Sequence, residues 1–183
     1  MIKDKNLYEN KDSFPELPNS LTFLKALRFA KTKYSENTRD IRSFTFPDMV
    51  EVIKILVNEG QMYNDEELTI AMLHNLLVNT NTSEFEIQNN FGLKVTEEVK
   101  KLKKDPFEPF ETFAKRVMDT NKNITLRKIL VADILYIVRN INDVNYPMNK
   151  LIFKTQATKM MMTYDLAMPF DLKARTNSAL KFM

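Results

Sequence analysis

The sequence predicts an all-α domain, and three observations carry that prediction. Only two of its 183 residues are glycine, too few for the many tight turns of a β-sandwich or barrel. Apolar residues recur at three- and four-residue spacing in every strongly patterned segment. Those segments are bounded by helix start and stop signals rather than by hairpin turns.

A chain of 183 residues makes one domain. At that length roughly 70% of the unfolded surface can be buried, so a full core is available. Residues 1–19 are polar with two prolines and read as an N-terminal arm; residues 20–183 read as the helical domain. The first helix is expected at Leu21–Tyr34, "LTFLKALRFAKTKY", with Leu21, Leu24, Leu27 and Phe29–Ala30 as its apolar stripe and Asn19 or Ser20 as cap. The second is Asp48–Glu59, entered after Pro47 and stopped at Gly60, which suits a left-handed cap. The third opens at Asn64 with Glu67 three residues on, a capping-box spacing, and continues to about Val78.

Ser83 and Glu86 repeat the capping box, and Gly92 ends that helix. "KVTEEVKKLKK" follows as an amphipathic helix through Val95, Val99 and Leu102, and its lysines sit against the C-terminal dipole. "DPFEPF" interrupts the pattern, and "ETFAKRVMDT" resumes it. "TLRKILVADILYIVRNI" is apolar nearly all round, so it is expected at the centre. After the turn "NDVNYP", "MNKLIFKTQATKMMMTYDLAM" makes a long helix, and a short one follows Pro169.

Composition excludes several chemistries. There is no cysteine, hence no disulfide, Cys–zinc site or thiol nucleophile. Two isolated glycines make no phosphate-cradling loop. A net charge of +3 with interspersed signs is too weak to imply nucleic acid. The N-terminus lacks the apolar stretch of a secretory leader, and no apolar run approaches the ~18 residues of a membrane span. A cytoplasmic location is the expectation.

Two polar residues interrupt apolar helical runs. His74, the one histidine of the chain, lies between Leu73 and Leu76–Leu77. It suits a metal ligand, but such a residue is more often a satisfied core histidine. Asp133 lies between Val131–Ala132 and Ile134–Leu135. A carboxylate there is costly to bury alone, so it must bind a metal, pair with a cation or cap a backbone group.

The segments "ALRFA", "VIKIL", "AMLHNLLVNT", "FEIQNNFGLKVTEEVKKL" and "ILVADILYIVRNI", in that order, resemble the hydrolase domain of the RelA/SpoT-like (p)ppGpp enzymes. Those belong to the HD-domain phosphohydrolase superfamily. The resemblance runs from about Leu24 to Ile141 and includes the family's F-G landmark at Phe91–Gly92. The family reads L-L-H-D-x-x-E-D-T and later L-A-D-(R/K)-L-(H/Y)-N. It holds one divalent metal, commonly manganese, through a His, a His-Asp pair and a distant Asp.

By that resemblance His74 matches the pair's histidine, Asn75 replaces its aspartate, Asp133 matches the distant aspartate, and Asp48 stands for the first histidine. The implied metal set is Asp48, His74, Asn75 and Asp133. Asn75 is a neutral donor where a hard ion needs anionic charge, so the implied site is weak or empty. The family's Glu-Asp pair, which handles water and proton, is replaced by Val78 and Asn79, and neither is a general base. Ile134 and Ile137 replace a cation and a nucleotide-contacting Asn. Arg39 falls where a family arginine stacks on guanine; an ordinary loop arginine is an equal reading.

The favoured reading is therefore a degenerate member that lacks hydrolysis, needs no cofactor, and binds a nucleotide such as (p)ppGpp or a protein partner. The alternative is a divergent metal-dependent nucleotide phosphohydrolase that uses manganese and takes Glu84 or Glu51 as base. A third reading is an assembly protein with the Met-rich "KMMMTYDLAM" as contact face.

Overall fold

The computed structural model describes residues 20–36, 44–119, 123–140, 150–164 and 170–182. Among the described residues every regular element is a helix. They run α1 (Leu21–Glu36), α2 (Phe46–Asn58), α3 (Asp65–Leu73), α4 (Leu76–Asn79), α5 (Glu84–Leu102), α6 (Phe110–Met118), α7 (Ile124–Asn140), α8 (Lys150–Thr163) and α9 (Phe170–Phe182). The expected arm at residues 1–19 lies outside the described residues. No described helix is long and apolar enough to cross a membrane.

Helix α7 is the axis, as its all-round apolar pattern predicts. Leu126, Ile129, Val131, Ala132, Ile134 and Leu135 are almost wholly buried, and α2, α5, α6 and α9 all pack against it. Each of its large aliphatic side chains contributes about 1.5–3 kcal/mol by leaving water. Helix α1 packs on α3 and α4, and α3 also packs on α5. This brings α1, α2, the α3–α4 junction and α7 around one interior region.

Several local expectations are corrected by tertiary contacts. The buried stripe of α1 is Phe23, Ala26, Ala30 and Tyr34, while Leu21 is 87% exposed. Both stripes have helical spacing, and tertiary packing decides which of them is buried. The left-handed residue after α2 is Gln61, at φ 49°, not Gly60. Gly60 is needed for space instead: a Cβ there would meet the Leu56 carbonyl oxygen at 2.7 Å. Asn64 does cap α3, accepting from the Glu66 and Glu67 amides. Glu67 does not return the bond; it takes the Thr125 hydroxyl of α7 at 2.5 Å. The expected helix from Asn64 to Val78 is broken at His74–Asn75 into α3 and α4.

Other signals work locally as they read. Gly92 adopts φ 85°, ψ 168° inside α5 and so separates its two helical segments, a conformation that glycine alone adopts without strain. Of the three consecutive methionines in α8, Met160 and Met161 are buried and Met162 is 76% exposed. That is a core contribution with one outward residue.

The Ser83–Glu86 capping box forms, with the Ser83 amide donating to Glu86 at 2.8 Å and the Glu86 amide to the Ser83 hydroxyl at 3.2 Å. Glu86 also receives Lys33 of α1 at 2.5 Å. The Lys33 ammonium, then the Ser83 amide, hold the Glu86 carboxyl at about 2, well below its ordinary 4.5. A carboxyl lowered on folding stabilises the fold above its unfolded value and loses that contribution as pH falls. The stability difference between the wild type and Glu86→Gln is therefore expected to shrink as pH drops from 4.5 to 2. Urea unfolding at a series of acidic pH values reads it, and a gap independent of pH contradicts the assignment.

Candidate functional site

The polar residues singled out in the sequence meet where α1, α2, the α3–α4 junction and α7 converge, and they meet in pairs. His74 is 2% exposed and Asp133 15%. The Nδ1–H of His74 donates to the Ala71 carbonyl one turn back at 2.6 Å. A carbonyl only accepts, so this bond fixes the proton on Nδ1 and turns Nε2 toward α7. Nε2 meets Asp133 Oδ2 at 2.7 Å. Burial acts to lower the imidazole pKa, but the Asp133 charge and hydrogen bond, with the Ala71 bond, raise it above 6.5. The raised pKa favours the imidazolium, which donates from both nitrogens, and in that form the contact is a buried ion pair.

Asp48 belongs to a second pair. Its Oδ2 accepts from the Thr45 amide at 2.6 Å and the Thr45 hydroxyl at 2.7 Å, closing the start of α2. Its Oδ1 accepts from the Tyr136 hydroxyl of α7. Asn75 directs its amide at the Met49 sulfur, 3.6 Å away. So the structure joins His74 to Asp133, and it places Asp48 and Asn75 on other partners. Among the described residues, no three His, Asp or Glu side chains are grouped to hold a metal ion. As arranged, the donor set does not fit a divalent ion: the one imidazole nitrogen that could ligate faces a carboxylate, and the neutral Asn75 faces a thioether.

The two residues expected from the resemblance to stand at acid–base positions differ in their surroundings. Val78 is 37% exposed, while Asn79 is 8% exposed and turned inward. Of the alternative bases, Glu51 pairs with Lys54 at 2.5 Å and Glu84 with Lys100 at 3.3 Å. Both are held on the surface by neighbouring lysines. Arg39 lies outside the described residues.

Sequence reasoning missed two members of the site. Tyr136 lies three residues beyond Asp133 on α7, and its role emerges from its bond to Asp48. Tyr34, 5% exposed, carried no signal beyond being the last apolar residue of its helix. Burial raises its hydroxyl above the ordinary tyrosine range; the Asn79 side chain opposes this, and the Asp133 and Asp48 carboxylates add to it. The Tyr34 hydroxyl, Asn79 Nδ2 and Asp133 Oδ1 are all buried with no protein hydrogen-bond partner.

The chain is all-helical, with α7 at its axis and the His74–Asp133 pair beside it, and its likeness to a solved structure gives it the helical fold of an HD domain. No family profile matches the chain, and no curated protein does. Solved structures do match. One is a metazoan orthologue of SpoT that hydrolyses ppGpp and plays a role in starvation responses, with 16% identity and a TM-score of 0.71 over 90% of this chain and 96% of that one.

Proposed function

We propose that the chain is a degenerate HD-domain protein that lacks metal-dependent phosphohydrolase activity and acts by binding a nucleotide or a protein partner. The observation that carries the reading is the fate of the four expected ligands. His74 Nε2 is taken by Asp133 at 2.7 Å, and Asp48 is taken by Thr45 and Tyr136. Bringing the four onto one ion requires breaking a buried ion pair and a helix cap together. Val78 and Asn79 supply no general base. The likeness to a ppGpp hydrolase makes a guanine nucleotide the ligand class to test, with Arg39 as its stacking partner.

A second reading has one observation in its favour: Asp133 keeps a buried oxygen without a donor, as an unused metal ligand would. On that reading the chain is a divergent phosphohydrolase, with Asp48, His74, Asn75 and Asp133 holding manganese. Incubating the purified chain with manganese and ppGpp separates the two. The expected result is no pyrophosphate release and no stoichiometric manganese after gel filtration. Turnover, or one retained manganese per chain, overturns the proposal. Saturable ppGpp binding that weakens in Arg39→Ala supports the nucleotide arm, and its absence leaves the protein partner.

A further inference from the structure

The segment "DPFEPF", which interrupts the helical pattern, forms a turn that holds an aromatic ring in water. Phe107 is 94% exposed. Its amide donates to Asp105 Oδ1 at 2.9 Å, and the Glu108 amide donates to the Asp105 carbonyl at 3.0 Å. Arg116 of α6 fastens this turn. Its guanidinium donates to the Glu108 carboxylate at 2.9 and 3.2 Å and to the Lys103 carbonyl at 3.0 Å. Pro106 and Pro109 fix the backbone on either side. A lone exposed apolar residue is ordinary, but this one is fastened outward, and folding it back onto its own domain would break the turn.

A complementary pocket opens beside it. Helices α6 and α8 enclose a cavity of about 160 Å³. Its walls are mostly apolar, from Phe110, Ala114, Met160 and Tyr164, and the Glu111–Lys159 pair stands at its rim, 2.8 Å apart. A cavity of about 150 Å³ takes a benzene ring, so this one has room for a phenylalanine side chain. Phe110, in its wall, is three residues from Phe107, and three residues span at most about 11 Å. Projection and pocket are therefore neighbours. Charge follows the same arrangement: Lys103 and Lys104 precede the projection in the chain, and the exposed Glu111 stands at the pocket.

We infer that a second copy of this chain docks here, in a two-fold dimer in which each Phe107 enters the α6–α8 pocket of the other copy. A projection next to a pocket that fits it suits a two-fold axis, because the same contact is then made twice. An aromatic side chain buries about 150–250 Å², so two anchors alone fall short of the ~1,200 Å² of a stable interface. The dimer is therefore weak and concentration-dependent. Met162, 76% exposed on the turn of α8 that lines the pocket, adds adaptable apolar surface. The surface uses neither His74 nor Asp133, so the inference stands apart from the metal content of the chain.

Sedimentation velocity of the full chain over a concentration series tests this, with Phe107→Ser to remove the projection and Thr163→Trp to fill the mouth of the pocket. Both positions are exposed, so both variants should keep the wild-type melting curve at low concentration. The expected result is a reversible monomer–dimer equilibrium in the wild type, weakened about tenfold or more in each variant. Mixing the two variants should restore part of the dimer, since one projection then meets one open pocket. A wild type that stays monomeric overturns the inference, as does a dimer that persists in Phe107→Ser. Growth beyond the dimer overturns the two-fold arrangement, and a mixture no better than either variant alone overturns the seating of Phe107 in the pocket.

Discussion

Replacing His74 by alanine is expected to lower the unfolding free energy by about 3–5 kcal/mol, the usual consequence of leaving one partner of a buried ion pair uncompensated. Asp133 is 15% exposed, and its Oδ1 already lacks a protein donor. Without His74 its Oδ2 loses its donor as well, and the Ala71 carbonyl loses the Nδ1–H. For a chain of this size the melting temperature should fall by roughly 10 °C. Removing both partners, in His74→Ala with Asp133→Ala, should cost less than the sum of the single changes, because the stranded charge goes too. Strict additivity in chemical denaturation would show that the two side chains are not coupled.

The same pair fixes a pH dependence. The imidazole pKa is raised above 6.5 in the folded chain, so folding favours the protonated ring. A group raised in this way stabilises fully below its unfolded value and loses that contribution as pH rises through its folded value. The wild type should therefore lose stability relative to His74→Ala as pH is increased upward from 6.5. An opposite slope would mean that folding disfavours the protonated ring and that the pair holds only the proton on Nδ1.

Restoring the family's acids, in Asn75→Asp with Val78→Glu and Asn79→Asp, is expected to raise manganese affinity about tenfold or more, since ligand charge sets affinity for a hard ion. Any hydrolysis of ppGpp that follows can rise by about 10²–10⁴ with a competent acid–base residue. Val78 is 37% exposed, so a glutamate there disturbs no core. Asn79→Asp is the demanding change. It puts a carboxylate on a side chain that is only 8% exposed, so without metal the variant should be less stable than the wild type. Calorimetric titration with manganese and thermal melts with and without the ion read both effects. A folded triple variant with unchanged manganese affinity would show that these positions do not correspond to the family's site.

What the sequence by itself determined is whatever depends on neighbours within a few turns. Helical spacing located the helices, the Ser83–Glu86 box and the Gly92 break are set within their own segment, and the all-round apolar pattern of α7 made it the axis. The residues of the polar site were visible too, because a histidine or aspartate inside an apolar run is conspicuous. Their partners were not. His74 and Asp133 are 59 residues apart in the chain, and Asp48 and Tyr136 are 88 apart. No local pattern records which of several polar groups will be nearest once the helices pack. The same limit explains Glu67, whose spacing fitted a local cap and whose carboxylate was drawn to Thr125 of α7. It explains Tyr34 as well, which reads as an apolar residue until packing buries its hydroxyl. Helix formation is a short-range competition that the side chains of one segment decide. The pairing of buried charges is decided by which helices share the interior, and that follows from the packing of the whole chain.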